Sequence, residues 1–170
     1  VKILKREYYK LKLSQQPKPC KTISKKQTPI LKWEIIGKEK SIKDIHLLKT
    51  QDVLMIHNEL VEDYKNYNDP IDPPGPRDES LLESAVYRPS TSIGLKLKYP
   101  SIEMAGAALF HSLIHNHPFH NGNKRTAIVT LLVFLDENQT MITCDENDLF
   151  KFVLKTAQHS IVKDRGLPMS

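Results

Sequence analysis

A chain of 170 residues and 19.5 kDa has the size of one domain, or one domain with an arm, and folds without disulfide staples. With 39% apolar and 26% charged residues it is neither a wholly disordered chain nor a membrane protein, and its longest apolar stretch, Ala127–Leu135, is too short to cross a bilayer. The net charge of +5 divides unevenly: residues 1–49 carry 14 Lys+Arg against 4 Asp+Glu, a net +10, and the remainder carry 11 against 16, a net −5.

The opening residues, VKILKREYYK, lack the apolar core of a signal peptide, so secretion is not indicated. The chain begins with Val1 and not Met, and so reads as a fragment or a processed chain. Cys20 and Cys144 stand far apart in unlike surroundings, which suits a reducing, cytoplasmic compartment and no disulfide framework. Residues 1–45 read as a basic N-terminal extension or linker, with Gln15–Pro19 and Lys25–Pro29 of loop composition and Ile30–Ile36 as one short strand. Such an arm suits nucleic acid or an acidic partner. The plainer reading is a solvated, partly disordered linker, because Lys25-Lys26 lacks interleaved aromatics or a helix signal for DNA.

The pattern sharpens from Thr50, which is placed to cap a helix carrying Val53, Ile56, Leu60, Val61 and Tyr64 at helical spacing. A Pro-rich turn region, Asn66–Pro76, follows. Asp78 is placed to cap a second helix through Ala85, with Leu81, Leu82 and Ala85 inward. Ile93, Leu95 and Leu97 alternate, as in a hairpin arm. Ser101 opens a helix with an inward stripe of Ala105, Ala108, Leu109, Ser112 and Leu113. Asn123–Glu137 forms the next helix, apolar nearly all round in its middle and so buried. Asp145 caps a last helix with Leu149, Phe152, Val153 and Thr156 on one face. The reading is an all-α domain with one small β element, spanning residues 46–170.

Chemistry concentrates in His111–Arg125, HSLIHNHPFHNGNKR. Gly122 and Asn123 stand just ahead of a helix, where unpaired backbone N–H groups and the helix dipole favour an anion. Lys124 and Arg125 add positive charge at a helix end that disfavours it, unless a phosphate sits there. Asn121 supplies an oxygen for a metal, and His117 is a general base for neutral pH. Together these suit phosphoryl or nucleotidyl transfer. Four histidines, His111, His115, His117 and His120, also admit a zinc site, although no nearby Cys or well-spaced Glu completes one. Otherwise they are hydrogen-bonded histidines at helix ends. His57 and His159 read as surface residues.

His117, Phe119, Gly122, Asn123, Lys124 and Arg125 match the pattern HxFx[D/E][G/A]N[G/K]R, and the segment resembles the signature of the Fic/Doc (Fido) family. Pro76–Ala85 resembles the upstream segment common in its short members, and the resemblance spans about residues 46–160. It implies a helical bundle around a helix-loop-helix active-site motif, with a small β-hairpin flap. It further implies ATP and Mg²⁺. His117 would deprotonate a target hydroxyl, and Phe119 would anchor the loop. Asn121 would stand where the family holds the metal, Gly122 and Asn123 would form the anion hole, and Lys124 and Arg125 would bind phosphate. The Ile93–Lys98 stretch would lie near the flap, which pairs with an extended target segment by strand addition.

Two positions depart from the pattern. Residue 121 is Asn and not an acid, and a neutral amide holds Mg²⁺ more weakly than a carboxylate. Residue 128 is Ile where adenylylating members carry a second Arg. With Lys at 124, this resembles the Doc branch, toxins that transfer the γ-phosphate to a translation elongation factor. The expected function is therefore a Doc-like kinase. An adenylyltransferase and a non-enzymatic binding module stay open as alternatives. The family's inhibitory pattern [S/T]xxxE[G/N] is not met, because Val133 and Ile142 precede the two Glu-Asn pairs at the required spacing. A separate antitoxin chain is the simplest restraint.

Overall fold

The computed structural model describes residues 32–35, 45–144 and 146–164, with side chains over 45–144 and 147–158. The two loop-like stretches of the arm, Cys20, the Asp145 cap and the His159 side chain lie outside the described residues. Five α-helices are described: α1 (Thr50–Tyr64), α2 (Glu79–Tyr87), α3 (Ile102–Asn116), α4 (Asn123–Glu137) and α5 (Glu146–Asp164). A hairpin of two-residue strands, β2 (Ser92–Ile93) and β3 (Lys96–Leu97), projects between α2 and α3. The fold is helical with this small hairpin, as the alternation of Ile93, Leu95 and Leu97 foreshadowed.

One pairing joins distant segments. β1 (Lys32–Ile35) runs antiparallel to β4 (Thr140–Thr143), with Trp33 opposite Ile142. β1 falls within the expected Ile30–Ile36 strand and inside the segment read as an arm.

The helix starts follow local chemistry. The Asp78 carboxylate accepts from the N–H groups of Ser80 (2.9 Å) and Leu81 (3.2 Å), capping α2. Those bonds and the Ser80 hydroxyl hold the Asp78 pKa below its ordinary value. Ser101 Oγ accepts from Met104 N–H at the start of α3. At α1 the expectation fails: the cap is Lys49, not Thr50, and Asp52 accepts from the Lys49 N–H at 2.8 Å. A carboxylate three residues into the helix reaches back to the N–H of Lys49, so the helix already includes Thr50, whose Oγ1 is buried without a partner.

α4 runs through the centre, packed along α3 and flanked by α1, α5 and β4. Ala127, Leu131, Phe134 and Leu135 lie in the core with Leu82, Leu109, Leu113 and Ile114. Burying each Leu or Phe contributes about 1.5–3 kcal/mol. Gly106, beside the expected stripe, permits close approach: a Cβ there would stand 3.2 Å from Leu131 and Phe134 carbons. No described helix is long and apolar enough to cross a membrane.

Candidate active site

The end of α3 and the start of α4 are joined by six residues, 117–122. His117 ends α3 in a left-handed conformation (φ 46°, ψ 54°), unusual for a residue with a Cβ. Gly122 opens α4 at φ 74°. Glycine is required at 122 twice over, because a Cβ there would also lie 2.8 Å from Ile71 Cδ1. These two turns bring His117 and the helix start to opposite ends of one short loop.

The loop is held by backbone and amide bonds. Pro118 C=O accepts from the N–H groups of Arg77 (2.7 Å) and Asp78 (3.2 Å), and His120 N–H donates to Gly75 C=O (3.3 Å). Residues 75–78 thus lie antiparallel to the motif, bridging at Pro76 and Phe119. Asn123 closes a two-point clamp on Phe119: its Oδ1 accepts from Phe119 N–H at 2.9 Å and its Nδ2 donates to Phe119 C=O at 2.7 Å. Phe119 is buried, as expected of an anchor.

His57 corrects the surface expectation. It is fully buried, its ring stacked on Phe119 at 3.9 Å and 10°. Gly75 N–H donates to its Nε2 (3.1 Å), so the neutral ring carries its proton on Nδ1, which faces Thr126 Oγ1 at 3.0 Å. Burial pushes its pKa down from 6.5 to about 4. A signal was present in the sequence: His57 lies four residues after Val53 and four before Val61, on the inward face of α1.

A strap of residues 69–72 runs beside the start of α4, against Gly122, Asn121 and Arg125. Ile71 is buried against Gly122. Asn121 Nδ2 donates to Asp72 C=O (3.1 Å), and its Oδ1 accepts from Gly122 N–H (2.6 Å). Arg125 donates to Asp69 C=O (2.7 Å), pairs with the Asp69 carboxylate at 3.4 Å and lies over the Tyr64 ring at 4.7 Å. Lys124 is exposed. The backbone N–H groups of Asn123, Lys124 and Arg125 precede the first i→i−4 bond, which Thr126 makes to Gly122 C=O at 2.8 Å. This end has no side-chain cap.

Those N–H groups with Lys124 fit a phosphate. The donor set for a divalent metal is thinner. Asn121 offers one amide oxygen that already accepts a bond, and no group of three His, Cys, Asp or Glu able to hold a metal occurs among the described residues. His111 and His115 stack at 3.8 Å. Ile128 packs against the core, half-buried.

A model of the Fic/DOC family matches residues 47–135, more than half of the chain. The protein named Toxin Doc from Mycolicibacterium smegmatis (strain ATCC 700084 / mc(2)155) is 39% identical over 69 residues, 41% of this chain and 53% of that protein. The match therefore spans about half the length of that curated relative. No solved structure matches the chain. These findings bear out the resemblance carried by the HPFHNGNKR segment, and the relative supports its Doc branch.

Proposed function

The chain belongs to the Fic/DOC family, and from that premise we propose that it is a transferase moving a phosphoryl group from ATP to a hydroxyl of a target protein. The observation that carries the reading is the placing of His117 only six residues ahead of a helix start that Gly122 leaves without a side-chain cap, beside an exposed Lys124. The residues act as follows. The start of α4 binds and orients the phosphates. His117 takes the proton of the incoming hydroxyl, whose oxygen forms a bond to the γ-phosphorus as the bond to ADP breaks. Arg125 turns from Asp69 to the phosphates; an exposed ion pair of this kind stabilises by only about 0–1 kcal/mol. Mg²⁺ would neutralise phosphate charge, with Asn121 its one nearby motif oxygen and the phosphates its main ligands.

The γ-phosphate is favoured over the α-phosphate by Ile128, which packs on the core where adenylylating members present a second Arg. The exposed hairpin at Ile93 and Leu95 suits strand addition by an extended target segment. An elongation factor is the target that the Doc resemblance suggests, and a separate antitoxin is the restraint that the toxin relative suggests.

The test is incubation of the chain, unsubstituted and as His117→Ala, with ATP labelled at the α- or γ-phosphate and a bacterial lysate. Transfer from the γ position only, lost in His117→Ala, is the expected result. Transfer from the α position would replace the kinase by an adenylyltransferase, and no transfer from either would leave a binding module.

A further inference from the structure

Three separate segments meet on one buried imidazole. His57 accepts the Gly75 N–H at Nε2 (3.1 Å), faces the Thr126 hydroxyl at Nδ1 (3.0 Å) and stacks on Phe119 (3.9 Å). Gly75 belongs to the segment that pairs with the motif, through its C=O and the His120 N–H. Phe119 is the residue that Asn123 clamps. Thr126 makes the first turn bond of α4, to Gly122 C=O. His57 thus touches each wall of the loop between His117 and the start of α4.

We propose that His57 is the positioning residue of the active-site loop, fixing where His117 stands relative to the phosphate-binding start of α4; this rests on the transfer reaction proposed above. The chemistry demands an imidazole in one tautomer. Gly75 N–H can only donate, so Nε2 must be bare, and Nδ1 must then carry the proton towards Thr126. A phenyl ring fills the volume and keeps the stack but leaves Gly75 N–H and Thr126 Oγ1 without their partner. An amide supplies only one of the two bonds. Nothing charged stands among the contacts: Gly75 contributes an amide, the motif an aromatic ring and α4 a hydroxyl. A protonated ring would have no acceptor for Nε2 and would face the Gly75 donor.

The experiment compares the chain with His57→Phe, His57→Gln and Thr126→Val by amide hydrogen exchange and by labelled-ATP kinetics. The amides of Arg77 and His120, which bond across the loop, are expected to exchange at least about tenfold faster in His57→Phe, while those of Leu131 and Phe134 in mid-helix hold. His57→Gln, which retains an acceptor near the Nε2 position, recovers part of that protection. Transfer falls about tenfold or more in kcat with KM for ATP little changed, as expected when groups are misplaced rather than lost. Thr126→Val removes the Nδ1 partner from the opposite side and reads the same loop should His57→Phe not fold. Unchanged Arg77 and His120 protection in a folded variant overturns the inference, as does lost protection with unchanged kcat. Should the unsubstituted chain transfer nothing, the transfer reading falls, and the exchange pattern still decides whether His57 holds the loop.

Discussion

The two ends of α4 carry the same device and put it to different ends. At the C-terminus Asn138 is buried; its Oδ1 accepts from His46 N–H (2.7 Å) and its Nδ2 donates to His46 C=O (2.9 Å) and Phe134 C=O (2.8 Å). At the N-terminus Asn123 makes the same two-point clamp, on Phe119. The C-terminal clamp joins residues 92 apart and satisfies a carbonyl of its own helix, after which Gln139 turns left-handed (φ 59°) into β4. That end is closed. The N-terminal clamp spans four residues and bonds only the loop, so the first N–H groups of α4 stay available and Lys124 stays exposed. A side-chain amide gripping a backbone, buried at Asn138 and half-buried at Asn123, is thus a fold element at one end and a means of shaping a site at the other.

Exchanging the substitutions between the two ends is the strongest way to break this contrast. Asn123→Ala is expected to lower transfer about a hundredfold or more at modest cost in stability, since it frees the loop that carries His117. Asn138→Ala is expected to cost about 2–4 kcal/mol of stability, by removing the three side-chain bonds through which a buried amide ties His46 to the end of α4, with transfer per folded molecule nearly unchanged. Activity assays beside thermal denaturation read both. Equal activity losses at the two sites would remove the distinction.

Gly122→Ala probes how tightly the open end is built. A Cβ at φ 74° and 2.8 Å from Ile71 should destabilise by about 2–4 kcal/mol. Ile71→Ala in the same chain should return part of that loss, a coupling that a double-mutant cycle measures. Additive effects would mean that Ile71 is not the atom in the way.

Acid sharpens the comparison further, since His57 serves only the N-terminal end. Its folded pKa, about 4, lies below the ordinary 6.5, so the unfolded chain binds the proton more tightly. Its contribution is fully present above about pH 6.5 and is lost as pH falls towards 4, by about 2–3 kcal/mol at most. Denaturation midpoints across that range should fall for the unsubstituted chain and fall less for His57→Phe. Parallel profiles would show that His57 is not the group responsible.

The smallest effect belongs to the strap. Asp69→Ala should strengthen ATP binding by about two- to fivefold, because Arg125 no longer divides its donors between a carboxylate and the phosphates. Calorimetry measures it, and weakened binding would mean that Asp69 holds Arg125 in place for the ligand.

Much of this was legible in the residue pattern, because the informative signals are local. Asp78 and Ser101 cap where a hydroxyl or carboxylate precedes an apolar period, and α4 spans Asn123–Glu137 as its pattern demands. The motif was legible for the same reason: base, glycine turn and cations lie within nine residues. What escaped depends on distant partners. Thr140–Thr143 is a strand because residues 32–35 pair with it, and four residues after a polar turn carry too little pattern to announce that. Asn138 stands just past the end of α4, where a polar residue is ordinary by pattern, and its partner lies 92 residues away. His57 lies on the inward face of α1 by spacing, but its polar residue type argues for the surface, and the three contacts that bury it come from segments distant in sequence.

Phosphate binding at the open start of α4 can be read from a titration of the isotope-labelled chain with ATP, followed through its backbone amide resonances. Asn123, Lys124 and Arg125 are expected to shift together and saturate, with the Asn138 end unmoved. Saturating shifts elsewhere, with those three amides silent, would contradict it.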